Sequence, residues 1–229
     1  MCCPGDFRSE RKHTASFGGR TTEVTTRFPA HRPNQFRPAW GIEGYRRVVD
    51  PGEVLVLTGP PAAGKSTVAA LIADRWDLSV HLRADYFLEE SIRRGYQRPW
   101  RPESREQNTT VMRAVTAATA EYAKGGYLVV VDGIVGPWFV DLVAETFAGH
   151  EVAWHYTILL PTSDVCLERN RSRSVEEQVE REVLDKMYGE FTSHLDGYEK
   201  YVVDSVRLDA EQTAEAVSKK METGELRVR

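Results

Sequence analysis

The segment GPPAAGKS, Gly59–Ser66, sets a compact glycine-lysine loop between an apolar run, Glu53–Thr58, and an apolar-periodic stretch, Lys65–Trp76. Few chain segments restrict a fold so tightly. Gly59 and Gly64 allow backbone conformations that bulkier residues resist, so successive amides can turn inward. Those N–H groups, with the positive end of the helix that follows, make an anion site suited to phosphates. In that setting Lys65 reaches the β- and γ-phosphates of ATP, and the Ser66 hydroxyl ligates Mg2+. Pro60, Pro61, Ala62, Ala63 and Thr67 complete the expected cradle. The pattern G-x-x-x-x-G-K-[ST] gains its weight from context, because a strand precedes it and a helix follows.

Further along, Val80–Arg83, the run YLVVVD ending at Asp132, Ala153–Leu160 and Tyr201–Ser205 also read as strands. The unbroken apolar run before Asp132 is the pattern of a strand buried on both faces. Helices are expected over about 109–124, 139–147, 163–170, 175–191 and 210–221. Five short strands separated by helices predict an α/β fold with a parallel sheet covered on both sides.

Residues 1–47 hold nine Lys and Arg against four Asp and Glu, while the whole chain carries a net charge of −4. The first 45 residues have few aliphatics and several Pro and Gly, so we expect a mostly disordered basic tail ahead of a domain over 46–229. No apolar run approaches the roughly 20 residues of a membrane span, and the N-terminus lacks an apolar leader. Cys2, Cys3 and Cys166 are too few for a disulfide framework, and Cys166 falls in a helical pattern where a small buried side chain fits. A cytoplasmic protein without membrane contact is expected, and the net charge gives no global reason for nucleic-acid binding.

Two carboxylates stand at strand ends, where an open parallel sheet presents its ligand crevice. Asp132 suits coordination of Mg2+ or its waters, or else capping of the GIVG turn that follows. Asp85 suits proton acceptance from an acceptor hydroxyl, or else the N-cap of the next helix. Arg169, Arg171 and Arg173 in LERNRSRS form a cluster able to neutralise phosphate charge or stack on a base, with a solvated helix face as the other reading. The insertion 86–108 carries five arginines with Tyr96 and Trp100 among them, and Pro99 and Pro102 favour an ordered loop. It reads as a cap over the acceptor, with Arg98, Trp100 and, from DGIVGPWF, Trp138 as candidate contacts. His81 and His155 sit in strand patterns and read as satisfied core groups.

Gly59–Ser66, Asp85, Asp132 and the arginine run occur in the order found in P-loop small-molecule kinases, and the chain resembles the chloramphenicol phosphotransferase-like, gluconate kinase-like and zeta-toxin-like proteins over about Val48–Met221. That resemblance implies a nucleoside-monophosphate-kinase-like sheet of order 2-3-1-4-5 and transfer of the γ-phosphate of ATP to a hydroxyl. Lys65, Asp85, Arg169 and Arg173 would then act in catalysis, Arg169 and Arg171 would also contact the nucleotide, and a lid would span about 169–182. The implied acceptor is a small hydroxylated molecule of antibiotic, sugar or nucleoside type, bound by a monomer or homodimer. A nucleotide or nucleotide-sugar acceptor stays open, as does a regulatory ATPase that contacts nucleic acid or protein. Two departures stand out: Arg83 occupies the place of the first acid in a D-x-D motif, and the chain leaves no room for the extra domains of AAA+ motors.

Overall fold

The computed structural model describes residues 12–17, 20–25 and 52–228. The chain divides into two units, 1–47 and 48–229. In the first, β1 (Lys12–Phe17) pairs antiparallel with β2 (Arg20–Thr25), in register from Lys12 opposite Thr25 to Phe17 opposite Arg20. The composition-based reading of a disordered tail assigned no element here. Threonines and a valine in RTTEVT supply the β-branched content that such pairing favours. The rest of the tail lies outside the described residues.

The second unit begins with β3 (Val54–Thr58), followed by α1 (Lys65–Ala73) and β4 (Ser79–Arg83). Then come α2 (Arg105–Lys124), β5 (Leu128–Asp132), α3 (Val140–Gly149) and β6 (Trp154–Leu159). The chain closes with α4 (Ser163–Arg171), α5 (Arg181–Ser193), the two-residue β7 (Val202–Val203) and α6 (Ala210–Glu222). The sheet runs β4-β5-β3-β6-β7, all parallel, which is the expected order 2-3-1-4-5. Every residue of β3, β5 and β6 is buried, so helices on both faces cover the sheet. No helix among the described residues is long and apolar enough to cross a membrane.

Several local choices fix the frame. Buried Thr116 and Thr119 return their hydroxyls to the carbonyls of Met112 and Val115, which lets polar residues lie on the core face of α2. Asp209 and Gln212 form a capping box at the start of α6. β7 covers only the end of β6, and the C-terminal segment covers the rest: Tyr156 N–H donates to Leu226 and Val228 N–H to Trp154. Cys166 is fully buried, as its helical setting suggested.

Two expectations need correction. The helix over 175–191 is broken into a 3-10 turn, Val175–Glu177, and α5, with extended backbone at Gln178 and Glu180 between them. Charged periodicity ran through the break because every residue of 171–178 is exposed, so no apolar pattern marked it. The strand expected over 201–205 shrinks to Val202–Val203, with Glu199–Tyr201 in a 3-10 turn.

Candidate active site

The loop after β3 is held where its backbone can face an anion. Gly59 has φ 148°, and a Cβ there would overlap the Leu159 carbonyl at the end of β6. Gly64 takes φ 96° as the N-cap of α1. That helix begins with no side-chain cap and no acid in its first turn, so its free N–H groups and positive end are kept for a ligand. Lys65 folds back across the loop and donates to the Pro60 carbonyl at 3.0 Å. Burial pulls its ammonium below the ordinary lysine range, Asp132 and Asp85 pull it back up, and Arg173 pushes it down again.

Asp132 closes β5 and is 3% exposed. His81, two residues before Arg83 on the neighbouring strand, brings Nε2 to 3.4 Å from Asp132 Oδ2. Burial would raise the Asp132 carboxyl, but the His81 hydrogen bond, the Lys65 charge and the Ser66 hydroxyl outweigh it and hold it below the usual range. The turn-capping reading of Asp132 does not hold. That turn is fixed instead by Val135 N–H donating to Thr58 Oγ1 at 2.9 Å and by Tyr156 OH donating to the Val135 carbonyl at 2.8 Å. A buried ionised carboxylate beside a serine hydroxyl is a set of hard oxygen donors. Mg2+ takes one or two carboxylates along with phosphate oxygens and waters, so Ser66 and Asp132 fit it. No cluster of three or more His, Cys, Asp or Glu able to hold a metal occurs among the described residues.

Asp85 follows β4 and starts a short π-helical turn, Tyr86–Glu90, yet its side chain makes no capping hydrogen bond. Its cap reading therefore fails too. Burial raises its pKa, Lys65 lowers it, Asp132 raises it and Arg83 lowers it, with a net shift upward. Glu89, one turn on, is raised by burial and by Asp85. Arg83 is held aside: its guanidinium lies 4.5 Å from the centre of the Tyr86 ring and donates to the Tyr86 hydroxyl at 2.7 Å.

Arg169 donates to the Ala63 carbonyl at 3.0 Å and to the Ser205 carbonyl at 3.5 Å, so it bridges the phosphate loop and the segment after β7. Beside it lies a cleft of about 220 Å3 whose lining includes Gly64, Thr67, Arg169, Leu208 and Thr213. Arg173 acts electrostatically on both Lys65 and Cys166. Arg171 is exposed, and among the described residues its side chain makes no hydrogen bond or ion pair to the loop.

The insertion 86–108 is ordered by hydrogen bonds from the start of α2. Gln107 pairs with both backbone groups of Gln97, at 2.7 and 2.8 Å, while Asn108 and Ser104 donate to the Pro99 carbonyl. Arg98 sits 5.7 Å from the Trp100 ring and 3.9 Å from Glu180. Lys186 of α5 donates to the Trp100 carbonyl at 2.8 Å, so the insertion and α5 are tied together. Trp138 goes elsewhere: its ring packs against Phe139, Phe191 and His194, and no contact among those described joins it to Trp100 or Asp85.

Sequence reasoning missed His81 and Glu89. Their positions, diagonal to Asp132 across two strands and one turn beyond Asp85, were the available signal. His155, read as a satisfied core group, is 2% exposed with neither ring nitrogen hydrogen-bonded, and Glu53 lies 3.7 Å away. Its bulk rather than its polarity serves the packing of β6.

A family profile described as an AAA domain matches residues 54–194. Cytidylate kinase of Archaeoglobus fulgidus is 27% identical over 179 residues, which is 76% of this chain and 97% of that protein. Among solved structures, the tunicamycin resistance protein of Deinococcus radiodurans aligns with a TM-score of 0.56 at 17% identity, over 74% of this chain and 95% of that one. A sugar kinase from Janibacter sp. aligns with a TM-score of 0.56 at 18% identity, over 75% and 95% respectively.

Proposed function

The chain belongs to the AAA-domain family and has the P-loop kinase fold, and from that premise we propose that it moves the γ-phosphate of ATP to a hydroxyl of a small molecule. The observation that carries this reading is the relation of Asp85 to Lys65. The carboxylate that follows β4 is uncapped, burial raises its pKa, and the phosphate-loop lysine pulls it back down. A group that must take up a proton during transfer works best with such an elevated pKa.

In this mechanism the loop amides and Lys65 bind the phosphates, and the cleft beside Arg169 and Leu208 takes the base. Ser66 and Asp132 would hold Mg2+, which when bound offsets charge on the phosphate oxygens. Asp85 orients the acceptor hydroxyl and accepts its proton as oxygen bonds to the γ-phosphorus and the bond to the β-phosphate oxygen breaks, releasing ADP. Arg173 balances the charge that spreads over the transferring group. The insertion, through Arg98 and Trp100, covers the acceptor. A cytoplasmic setting, where ATP is supplied, suits the reaction.

Acceptor class follows from charge. In this reading Asp85 and Glu89 would set two carboxylates near the acceptor, which disfavours one that is itself a phosphate. The five arginines of 86–108 are nearly balanced by four glutamates, so a polyanionic partner gains little there. A nucleotide acceptor remains the second reading, favoured by the likeness to a cytidylate kinase along nearly all of that protein. ADP release from MgATP, followed with sugars, aminocyclitols, nucleosides and CMP in turn, separates the two. Stimulation by neutral or cationic hydroxyl compounds supports the proposal, and stimulation by CMP alone overturns it.

A further inference from the structure

His155 in β6 is 2% exposed, and neither of its ring nitrogens has a hydrogen-bond partner. A ring held so far from water stays neutral, because a buried charge without a hydrogen bond is costly. Glu53, which precedes β3, brings Oε2 to 3.7 Å from Nε2, too far for a hydrogen bond. On the other side of β6 lies the segment that follows α6. Gly224, at φ 75°, turns the chain out of the helix, and Leu226 is fully buried. Tyr156 N–H donates to the Leu226 carbonyl at 2.9 Å, and Val228 N–H donates to the Trp154 carbonyl at 3.2 Å. These two bonds bracket His155 and make Arg227 its antiparallel bridge partner. A pair bracketed in this way is the non-hydrogen-bonded kind, in which facing side chains come closest. Like charges directly opposite one another there are destabilising.

We propose that the segment 225–228 is a proton-released strap on the edge of the sheet. When His155 takes up a proton from solvent, imidazolium and guanidinium face each other in one cross-strand pair, and the strap leaves β6. Arg227 is already exposed, so departure returns it to water and admits water to the ring. Among the described residues, Glu53 from the head of β3 and Arg227 from the strap are the charged groups that act on His155. β6 itself adds only Tyr156, whose hydroxyl donates to the Val135 carbonyl. Burial holds the His155 pKa below its ordinary value of 6.5, Glu53 raises it and Arg227 lowers it. With the folded value depressed, the neutral ring's contribution is complete above that ordinary value and is lost as pH falls below it. The opening is local, because α6 stays seated through the capping box at Asp209 and through Arg75, which donates to Glu211 and Glu215.

The test is amide hydrogen exchange of the full chain, read residue by residue by NMR at about pH 7.5 and about pH 5.5 and corrected for the intrinsic pH dependence of exchange. In wild type, the Tyr156 and Val228 amides should lose protection about two- to fivefold at the lower pH, the scale of a like-charge cross-strand pair. Amides of β3 and β5 should keep theirs. His155→Phe retains the bulk without the proton site and should abolish the acid loss. Arg227→Gln retains the backbone pairing and should shrink it. An equal loss in His155→Phe, or none in wild type, overturns the proposal, as does a loss shared equally by β3 and β5. Should His155→Phe fail to fold, Arg227→Gln decides from its exposed position: an acid loss as large as that of wild type contradicts release by charge. The readout needs no substrate, so its outcome is independent of the transfer reaction.

Discussion

Arg169 donates to the carbonyl of Ala63 at 3.0 Å, so a residue of α4, 106 positions further along the chain, holds the phosphate loop from outside. The other arm of the same guanidinium, at 3.5 Å from the Ser205 carbonyl, joins the loop to the wall of the cleft. A planar fork can span two carbonyls in a way that a lysine ammonium cannot.

Replacing Arg169 with Ala should weaken MgADP binding by about 10- to 100-fold, the scale of losing a charge-assisted pair of hydrogen bonds. Arg169→Lys should recover only part of it. Calorimetric titration checks both, and a Lys variant equal to wild type would show that charge alone matters.

Asp85→Asn should lower phosphoryl transfer by about 100-fold or more, within the range seen for general bases. The same change should stabilise the protein. Because the folded-state pKa lies above the ordinary value near 3.8, the folded form holds its proton more tightly, and stability is gained as pH falls through the window between the two values. Above that window the ionised, partly buried carboxylate costs stability, and the amide removes the cost. A rise of about 2–4 °C in Tm at neutral pH corresponds to roughly 1 kcal/mol for a domain of this size. In wild type, the acid limb of the rate profile should fall above the ordinary aspartate range and be absent in Asp85→Asn.

Asp132 has the opposite sign. Its depressed pKa keeps it ionised through the neutral range, and the stabilisation it contributes is lost only as pH falls through the depressed value. Asp132→Asn should raise the Mg2+ concentration for half-maximal rate by about tenfold or more, and His81→Ala should have a smaller effect in the same direction, since His81 orients the ligand. Chelation of Mg2+ should abolish transfer. A wild-type Mg2+ requirement in Asp132→Asn would remove the carboxylate from the metal's donor set.

Gly59→Ala should destabilise the fold by about 2 kcal/mol or more, combining a backbone conformation unsuited to L side chains with the clash against Leu159. Thermal unfolding reads it directly. A melt indistinguishable from wild type would mean that β3 and β6 can move apart without cost.

How much of this was legible in advance depends on the period of each segment. β3 and β5 are continuous apolar runs, and GPPAAGKS sits at a strand-to-helix join, so the sheet and its phosphate loop could be read from pattern alone. Asp85 and Asp132 were legible because strand ends are special places in a parallel sheet. The break at Gln178–Glu180 was not, because hydrogen bonds to Asn170 rather than an apolar face create it. His81 was missed for a related reason: its partner lies on another strand, and pairing between strands is absent from linear order. Trp138 shows the converse. Proximity in sequence to Asp132 suggested the crevice, while aromatic packing takes its ring to Phe191 and His194.

The most direct test is the mass of the products formed from MgATP and a mixed panel of neutral hydroxyl compounds, aminated sugars and CMP, with wild type and Asp85→Asn side by side. The account predicts one added phosphoryl group on a hydroxyl compound, much reduced with Asp85→Asn, and CMP left unchanged. A phosphoryl group added to CMP's phosphate, or full product formation by Asp85→Asn, would contradict it.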